Sequence, residues 1–412
     1  MTTTSPARVP APASGHPALH RLVALDFAAF AGDHWGREAL LTRAEDLPRD
    51  FSDLFSAEAV DELVSTRGLR NPFLRLARDG ATLPDRAFTT GGGIGAGIAD
   101  QVSDDAVLRA FADGATLVLQ GLHRTWEPAL AFSQQLAADL GHPNQVNAYV
   151  TPPQSTGFSD HYDVHDVFVL QVAGEKRWRI RRPVREAPLR SEAWTDHRAE
   201  VESAARQPSV VEETLRPGDC LYLPRGFLHS ATALGATSIH LTVGVHPWHR
   251  AHVAEALLES ALRTATEDPL VRASLPVGID VGDPGAWGLD VELVRSALHR
   301  ALDEADPGAL AVTLQRRHRA AQRPAPLRPL AQALAADRLR PEAVLLLRPH
   351  VAATLDREAD RWVLRSRAGR LPVGDAERAA IDTLLSTGRA TAADLGVETA
   401  RRLVRAGVVV PA

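Results

Sequence analysis

Cysteine is almost missing from this 412-residue chain: Cys220 stands alone, so no intramolecular disulfide can form and no cysteine-rich zinc module can be built. That usage suits a reducing compartment, and the expected location is the cytoplasm. No run approaches the roughly 18 consecutive apolar residues that a membrane span needs, so no membrane partner is expected. Residues 1–17, rich in Thr, Pro, Ala and Ser, lack the apolar core of a secretory signal and read as a disordered tail. Charge of one sign is also missing. A formal net charge of -5 with 24% charged residues describes an ordinary globular chain and gives no strongly basic face, so nucleic acid is not favoured as a partner.

The most informative scarcity is lysine. Lys and Arg total 46, yet only one of them, Lys176, is a lysine. An Ala- and Arg-rich composition of this kind implies that arginine has replaced lysine wherever a generic cation suffices. The surviving lysine then marks a place where a flexible ammonium is needed and a planar guanidinium does not fit. Tyrosine and asparagine are rare as well, with three of each.

The length predicts two or three domains. Apolar spacing predicts helix over residues 20–46 and short helices over 51–67, then a helix over 104–112. Residues 89–97 (TTGGGIGAG) form a glycine-rich loop without the G-x-G-x-x-G spacing of a nucleotide site. Short β-rich runs follow at 115–119, 145–151, 167–172, 177–180, 210–215, 220–224 and 238–245, punctuated by Gly, Pro and Asp, which predicts an antiparallel barrel or jelly roll closing near Pro247. From Ala251 three stretches show helical spacing. A Pro-rich break over 323–330 precedes a helix-helix-helix-strand ending of winged-helix type. The expected domains are therefore a barrel domain over 18–250, a helical region over 251–325 and a winged-helix-like domain over 326–412. The amphipathic helices between two compact domains predict a homodimer.

The segment His161-Tyr162-Asp163-Val164-His165-Asp166 carries the chemistry. In an extended strand residues two apart share a face, so His161 and Asp163 can reach one ion. The later stretch RPGDCLYLPRGFLHSA delivers His229 after a tight turn and a buried strand. Two imidazoles and one carboxylate on one side of a metal leave three positions open, the facial arrangement of non-haem Fe(II) oxygenases. His165 shares the face of His161 and Asp163 but is read as an outer contact rather than a ligand. His240, flanked by apolar residues in SIHLTV, is read as a packed core histidine, with a pocket role as the alternative.

NAYVTPPQSTGFSDHYDVHDVFVLQVAGEKRWRI, with RPGDCLYLPRGFLHSA and SIHLTVGV, resembles the ribosomal-oxygenase branch of the JmjC/cupin family. FAAFAGDHWGREALL near the start, the helical middle and the winged-helix end resemble that branch in order and type. The resemblance implies a mainly β, double-stranded β-helix core with an added α-helical dimerisation region and a C-terminal winged helix. It implies His161, Asp163 and His229 as ligands of Fe(II), with Asn147, Tyr149 and Lys176 around 2-oxoglutarate and with O2 as the other cosubstrate. Lys176 stands where the family places the lysine that pairs with the far carboxylate of 2-oxoglutarate. The implied activity is hydroxylation of a protein side chain, Arg or His of a ribosomal protein. A peptide or small-metabolite hydroxylase, or a ligand-sensing cupin regulator acting through its winged helix, are the alternatives. One departure stands out: Gly244 occupies a position where the family often has serine, and Thr242 or a water is expected to substitute.

Overall fold

A computed structural model describes residues 15–78, 80–358 and 360–412. The tail expected over residues 1–17 lies, through residue 14, outside the described residues. The chain divides into two compact units, one ending at Pro247 and the other beginning at Trp248.

The first unit is built on one antiparallel sheet. Its strands are β1 (Leu40–Thr42), β2 (Leu74–Arg78), β3 (Ala81–Thr82), β4 (Thr116–Leu119), β5 (Asn144–Thr151), β6 (Asp166–Arg181), β7 (Val211–Leu215), β8 (Cys220–Leu223) and β9 (Leu228–Val245). They join in the order β1-β8-β6-β9-β5-β4-β2-β3, with β7 alongside β6. On β5 burial alternates, so Val146, Ala148 and Val150 enter the main apolar core. Asn147 and Tyr149 consequently point to the opposite face. Helices α1 (Ala57–Ser65), α2 (Asp104–Ala112), α3 (Leu122–Thr125) and α4 (Glu127–Leu140) contribute Leu63, Val107, Leu122 and Leu136 to that same core. Ser56 and Ser103 cap α1 and α2 by accepting the amides of Ala59 and Ala106. Each fully buried Leu or Phe in such a core is worth roughly 1.5–3 kcal/mol.

Two sequence expectations are corrected here. The helical spacing over residues 20–46 gives only short helical turns, and Leu40–Thr42 pairs with Cys220–Tyr222 as an edge strand. Tertiary pairing overrides local periodicity there. The runs 167–172 and 177–180 are not separate strands but the two arms of β6, and the run 238–245 extends back to Leu228. The apparent break is Gly174, at φ 62, where a Cβ would stand 2.2 Å from the Thr237 carbonyl oxygen. Glycine bends the strand without ending it, and the pairing of β6 with β9 shifts register between Leu234 and Ile239. The arm carrying Lys176 and the arm running from Asp166 thus belong to one strand.

The glycine-rich stretch over 89–97 is a largely exposed loop whose Thr89–Thr90 pairs with Gln101–Val102.

In the second unit α5 (Arg250–Ala265), α6 (Gly288–Asp303) and α7 (Pro307–Ala321) come first, with a small core of Ala261, Ala265, Ala297 and Ala301. Then follow α8 (Pro329–Asp337), β10 (Val344–Leu347), β11 (Thr354–Glu358), β12 (Arg361–Ser366), β13 (Gly369–Val373), α9 (Asp375–Thr387), β14 (Arg389–Thr391), a short helix Ala392–Leu395, α10 (Val397–Arg405) and β15 (Val409–Pro411). They form two three-stranded sheets, β14-β10-β15 and β11-β12-β13. Leu345, Ile381, Leu384, Leu403 and Val409 are their shared core. The β11-β12-β13 meander carries Arg, Asp and Glu between its apolar positions, and sequence reading did not find it.

Candidate metal and cosubstrate site

His161 sits just before β6, and its backbone is tied to the start of β9. The His161 amide donates to the His229 carbonyl at 3.2 Å, and the His229 amide donates back to the His161 carbonyl at 2.9 Å. This bridge draws the two imidazoles to a centroid separation of 4.4 Å. Asp163 follows two residues later, with its Oδ2 3.7 Å from His229 Nε2. One donor atom from each of His161, Asp163 and His229 lies within 4.8 Å of the other two. The structure therefore brings together the three residues that the sequence singled out, with His161 and Asp163 in the connection before β6 rather than in the strand expected for them.

The ring orientations are set from behind. His161 Nδ1 faces the Ser159 carbonyl at 2.8 Å and His229 Nδ1 faces the Phe227 carbonyl at 3.1 Å. A carbonyl only accepts, so the proton sits on Nδ1 in both rings, leaving each Nε2 lone pair for an ion. Burial, joined by the neighbouring His161, pushes the His229 imidazole down to about 4, so it is neutral at physiological pH. Burial alone would raise the Asp163 carboxyl. The imidazoles of His165, His229, His161 and His246 outweigh it and hold that carboxyl below the ordinary aspartate range. A neutral imidazole at His229 and an ionised carboxylate at Asp163 are the protonation states that a divalent ion requires of them.

Beside the triad a cavity is lined by Tyr149, Lys176, Trp178, His240 and Thr242. Lys176 is 3% exposed, and its Nζ donates to Thr151 Oγ1 at 3.0 Å. Burial pushes its ammonium down to about 7, and no carboxylate acts on it among the described residues. A buried cation aimed into a cavity without a counter-ion is costly unless an anion arrives. Tyr149 is pushed up to about 12, first by burial and then by Asp163, so its hydroxyl stays protonated. Its ring stacks on His240 at 4.9 Å and 5°.

Asn147 and His240 are placed as follows. Asn147 shares the face of Tyr149 but stands outside the cavity lining, because its Oδ1 accepts the Gly121 amide at 3.0 Å. That hydrogen bond ties β5 to the short helix Leu122–Thr125. His240 is buried and also lines the cavity, so the pocket role weighed as its alternative is the one its position supports. Sequence reasoning missed Trp178, whose ring lies 6.1 Å from that of His229. Its place two residues beyond Lys176 on one strand was the available signal. It also missed Phe158 and Trp194, whose rings lie 6.1 and 6.2 Å from His161. Trp194 sits in an aperiodic connection that carries no such signal. The nearby Asp166 is structural: it accepts from Tyr222 Oη at 2.7 Å and from the Arg225 amide at 3.0 Å.

A bent antiparallel sheet with two histidines and an aspartate converging beside it defines a class, and the comparison with known families agrees. Residues 124–253 match the JmjC domain family, so the chain carries a JmjC domain. The chain is 37% identical over 137 residues to the bifunctional lysine-specific demethylase and histidyl-hydroxylase NO66 of Drosophila persimilis, covering 32% of this chain and 19% of that protein. It is 31% identical over 256 residues to human ribosomal oxygenase 1, covering 59% of this chain and 36% of that one. The chain thus spans well under two thirds of the length of these curated relatives. In structure it is similar to Escherichia coli YcfD, at a TM-score of 0.55 and 17% identity, over 95% of this chain and 99% of that chain. This likeness shows the fold.

Proposed function

We propose that the protein is an Fe(II)- and 2-oxoglutarate-dependent oxygenase that hydroxylates a protein side chain, an arginine or histidine of a ribosomal protein. The observation that carries this reading is the convergence of His161, Asp163 and His229 beside the buried Lys176, a cation that has no carboxylate partner among the described residues. The donor set fits iron, and the E. coli YcfD ribosomal oxygenase has been solved in complex with cobalt and 2-oxoglutarate. When bound, the iron with 2-oxoglutarate and O2 would supply the oxidising power for hydroxylating an unactivated C–H bond. The chain's own residues would bind and orient. His161, Asp163 and His229 would hold the metal from one side, and Lys176 with Thr151 would take the far carboxylate of 2-oxoglutarate. Tyr149, protonated, would donate a hydrogen bond, and the Trp178 and His240 rings would exclude water.

A second cavity, lined by Phe158, Asp160, His161, Trp194 and Arg198 among others, opens onto the metal-facing histidine and suits the approach of a polypeptide side chain. The reading extends to the rest of the chain: the JmjC/cupin domain over 18–250, a helical dimerisation region over 251–325 and a winged-helix domain over 326–412. Exposed Leu258, Leu262 and Leu289 on α5 and α6 support a homodimer. In α10 the cations Arg401, Arg402 and Arg405 are engaged by Glu398, Glu377 and Asp337, which supports a packing role over nucleic-acid binding. Among the described residues no helix is long and apolar enough to cross a membrane, and a cytoplasmic location fits the single buried cysteine.

The test is succinate formation from 2-oxoglutarate by anaerobically Fe(II)-loaded protein, with and without a pool of ribosomal proteins. Turnover stimulated by the pool and lost in His229→Ala is expected. Absence of turnover despite bound metal would overturn the reading in favour of a ligand-sensing barrel.

A further inference from the structure

β4 reads Thr116-Leu117-Val118-Leu119 and is buried throughout, with Thr116 as its one polar side chain. Valine has the same shape and suits a strand as well, so packing alone does not call for a hydroxyl there. That hydroxyl is engaged. Thr116 Oγ1 donates to Thr151 Oγ1 at 3.3 Å, one step along from the paired Leu117 and Val150. Both threonines are 0% exposed, and Lys176 Nζ donates to the same Thr151 oxygen at 3.0 Å. The backbone of Gly157 closes over Thr116: a Cβ built at 157 would stand 3.2 Å from Thr116 Oγ1 and 3.3 Å from its Cγ2. On its other side Thr116 is paired with Ala77 on β2, so its hydroxyl has a fixed place.

A hydroxyl has one hydrogen and two lone pairs. At Thr151 both lone pairs are taken, one by the Lys176 ammonium and one by the Thr116 hydroxyl. The Thr151 hydrogen is left for an acceptor, and none meets it among the described residues. The ammonium carries three N–H groups. One goes to Thr151, and it reaches no other acceptor among the described residues. Buried polar groups are as a rule satisfied. The donors that remain, one O–H and two N–H, stand together beside the cavity that Lys176 lines, and all of them suit an anion.

We infer that Thr116 is a positioning residue: by occupying the second lone pair of Thr151 it fixes that hydroxyl as a donor, so that Thr151 and Lys176 donate together to the far carboxylate of 2-oxoglutarate. The inference rests on the oxygenase reading and deepens it. Thr116 touches neither the metal site nor the cavity, and it acts through Thr151. Gly157 keeps it there by leaving no space for another partner.

The test compares 2-oxoglutarate with 2-oxobutyrate, which lacks the far carboxylate, by calorimetric titration into the Zn(II)-loaded whole chain. In Thr116→Val the affinity for 2-oxoglutarate is expected to fall about three- to tenfold, the effect of losing one oriented hydrogen bond, while that for 2-oxobutyrate stays within about twofold. Thr116→Ser, which keeps the hydroxyl, is expected to bind both acids as the wild type does. In a Thr151→Val background, Thr116→Val is expected to have no further effect. A merely structural hydroxyl would weaken both acids alike or lower only the melting temperature. Should Thr116→Val fail to fold, Thr116→Ala gives the same comparison. Because Lys176 is the only lysine, protein isotopically labelled at the lysine Cε gives one side-chain NMR signal. Its displacement by 2-oxoglutarate in the wild type establishes the underlying reading, and a wild-type signal that does not move sinks that reading instead. Where the wild-type signal moves, a Thr116→Val protein that binds 2-oxoglutarate like the wild type, or loses both acids equally, would overturn the inference.

Discussion

Replacing Lys176 by methionine removes the ammonium while keeping a long, unbranched side chain, and it should make the protein more stable and less able to bind 2-oxoglutarate. The lysine is 3% exposed, and its ammonium falls from an ordinary 10.5 to about 7 in the fold. At about 1.4 kcal/mol per tenfold, that depression means that the protonated lysine costs the ligand-free fold on the order of a few kcal/mol. The folded value lies below the unfolded one, so the cost is fully present below pH 7, shrinks as pH rises, and is gone above pH 10.5. Methionine should therefore raise the melting temperature most at pH 6.5, by roughly 2–4 °C for each kcal/mol recovered in a unit of this size. Binding should move the other way. Losing one partner of a buried charge pair costs on the order of 2–5 kcal/mol, or roughly thirtyfold to several-thousandfold in Kd. In the wild type, affinity for the dicarboxylate should be highest below pH 7 and should fall above it by up to about tenfold per pH unit, while the methionine variant should show no such slope. Calorimetric titration of 2-oxoglutarate into Mn(II)-loaded protein at pH 6.5 and 8.5, with melts of both proteins, reads all three effects. A methionine variant that binds 2-oxoglutarate within about threefold of wild type, or that melts lower at pH 6.5, would refute the assignment.

Gly174→Ala should destabilise the first unit by more than the roughly 1 kcal/mol of a typical substitution, because its Cβ would meet the Thr237 carbonyl oxygen at 2.2 Å. Chemical denaturation reads this, and a loss under about 0.5 kcal/mol would mean that the two strands slide freely there. Asp219→Ala removes one of the two carboxylates that hold Arg43, Glu213 remaining, and leaves the amides of Ala44 and Arg216 without their acceptor. A loss of about 1.5–3 kcal/mol in the same assay is expected for removing hydrogen bonds to a charged group, and an unchanged midpoint would contradict it. Cys220 is 1% exposed and burial pushes its thiol up, so a thiol reagent should label it only as fast as the first unit opens. Rapid labelling of native protein would refute its placement on β8.

The three residues of the candidate metal site were legible from their spacing, His161 and Asp163 two apart and His229 after a turn, although His161 and Asp163 lie in the connection before β6 rather than in a strand, held there by the His161–His229 bridge. Lys176 was legible for a different reason, since a composition almost devoid of lysine makes the remaining one conspicuous. Asn147 misled. Strand alternation gives its face correctly, but the Gly121 amide that occupies its Oδ1 comes from a connection whose path periodicity does not encode. Leu40–Thr42 carries helical spacing and becomes a strand only because β8 offers it an edge. The absence at Gly244 was visible in the sequence, but its reason was not, because the ring of His165 fills the space from another strand's start.

The reciprocal backbone hydrogen bonds between His161 and His229 also bear on how the proposed site would acquire a metal. Where a small zinc module depends on its ion to fold, the sheet here closes the loop between the two imidazoles by strand pairing. An apo chain would keep its shape, and an ion could leave and return without unfolding. Occupancy would then follow the supply of divalent metal in its surroundings, and a resting, metal-free population could be recharged in place.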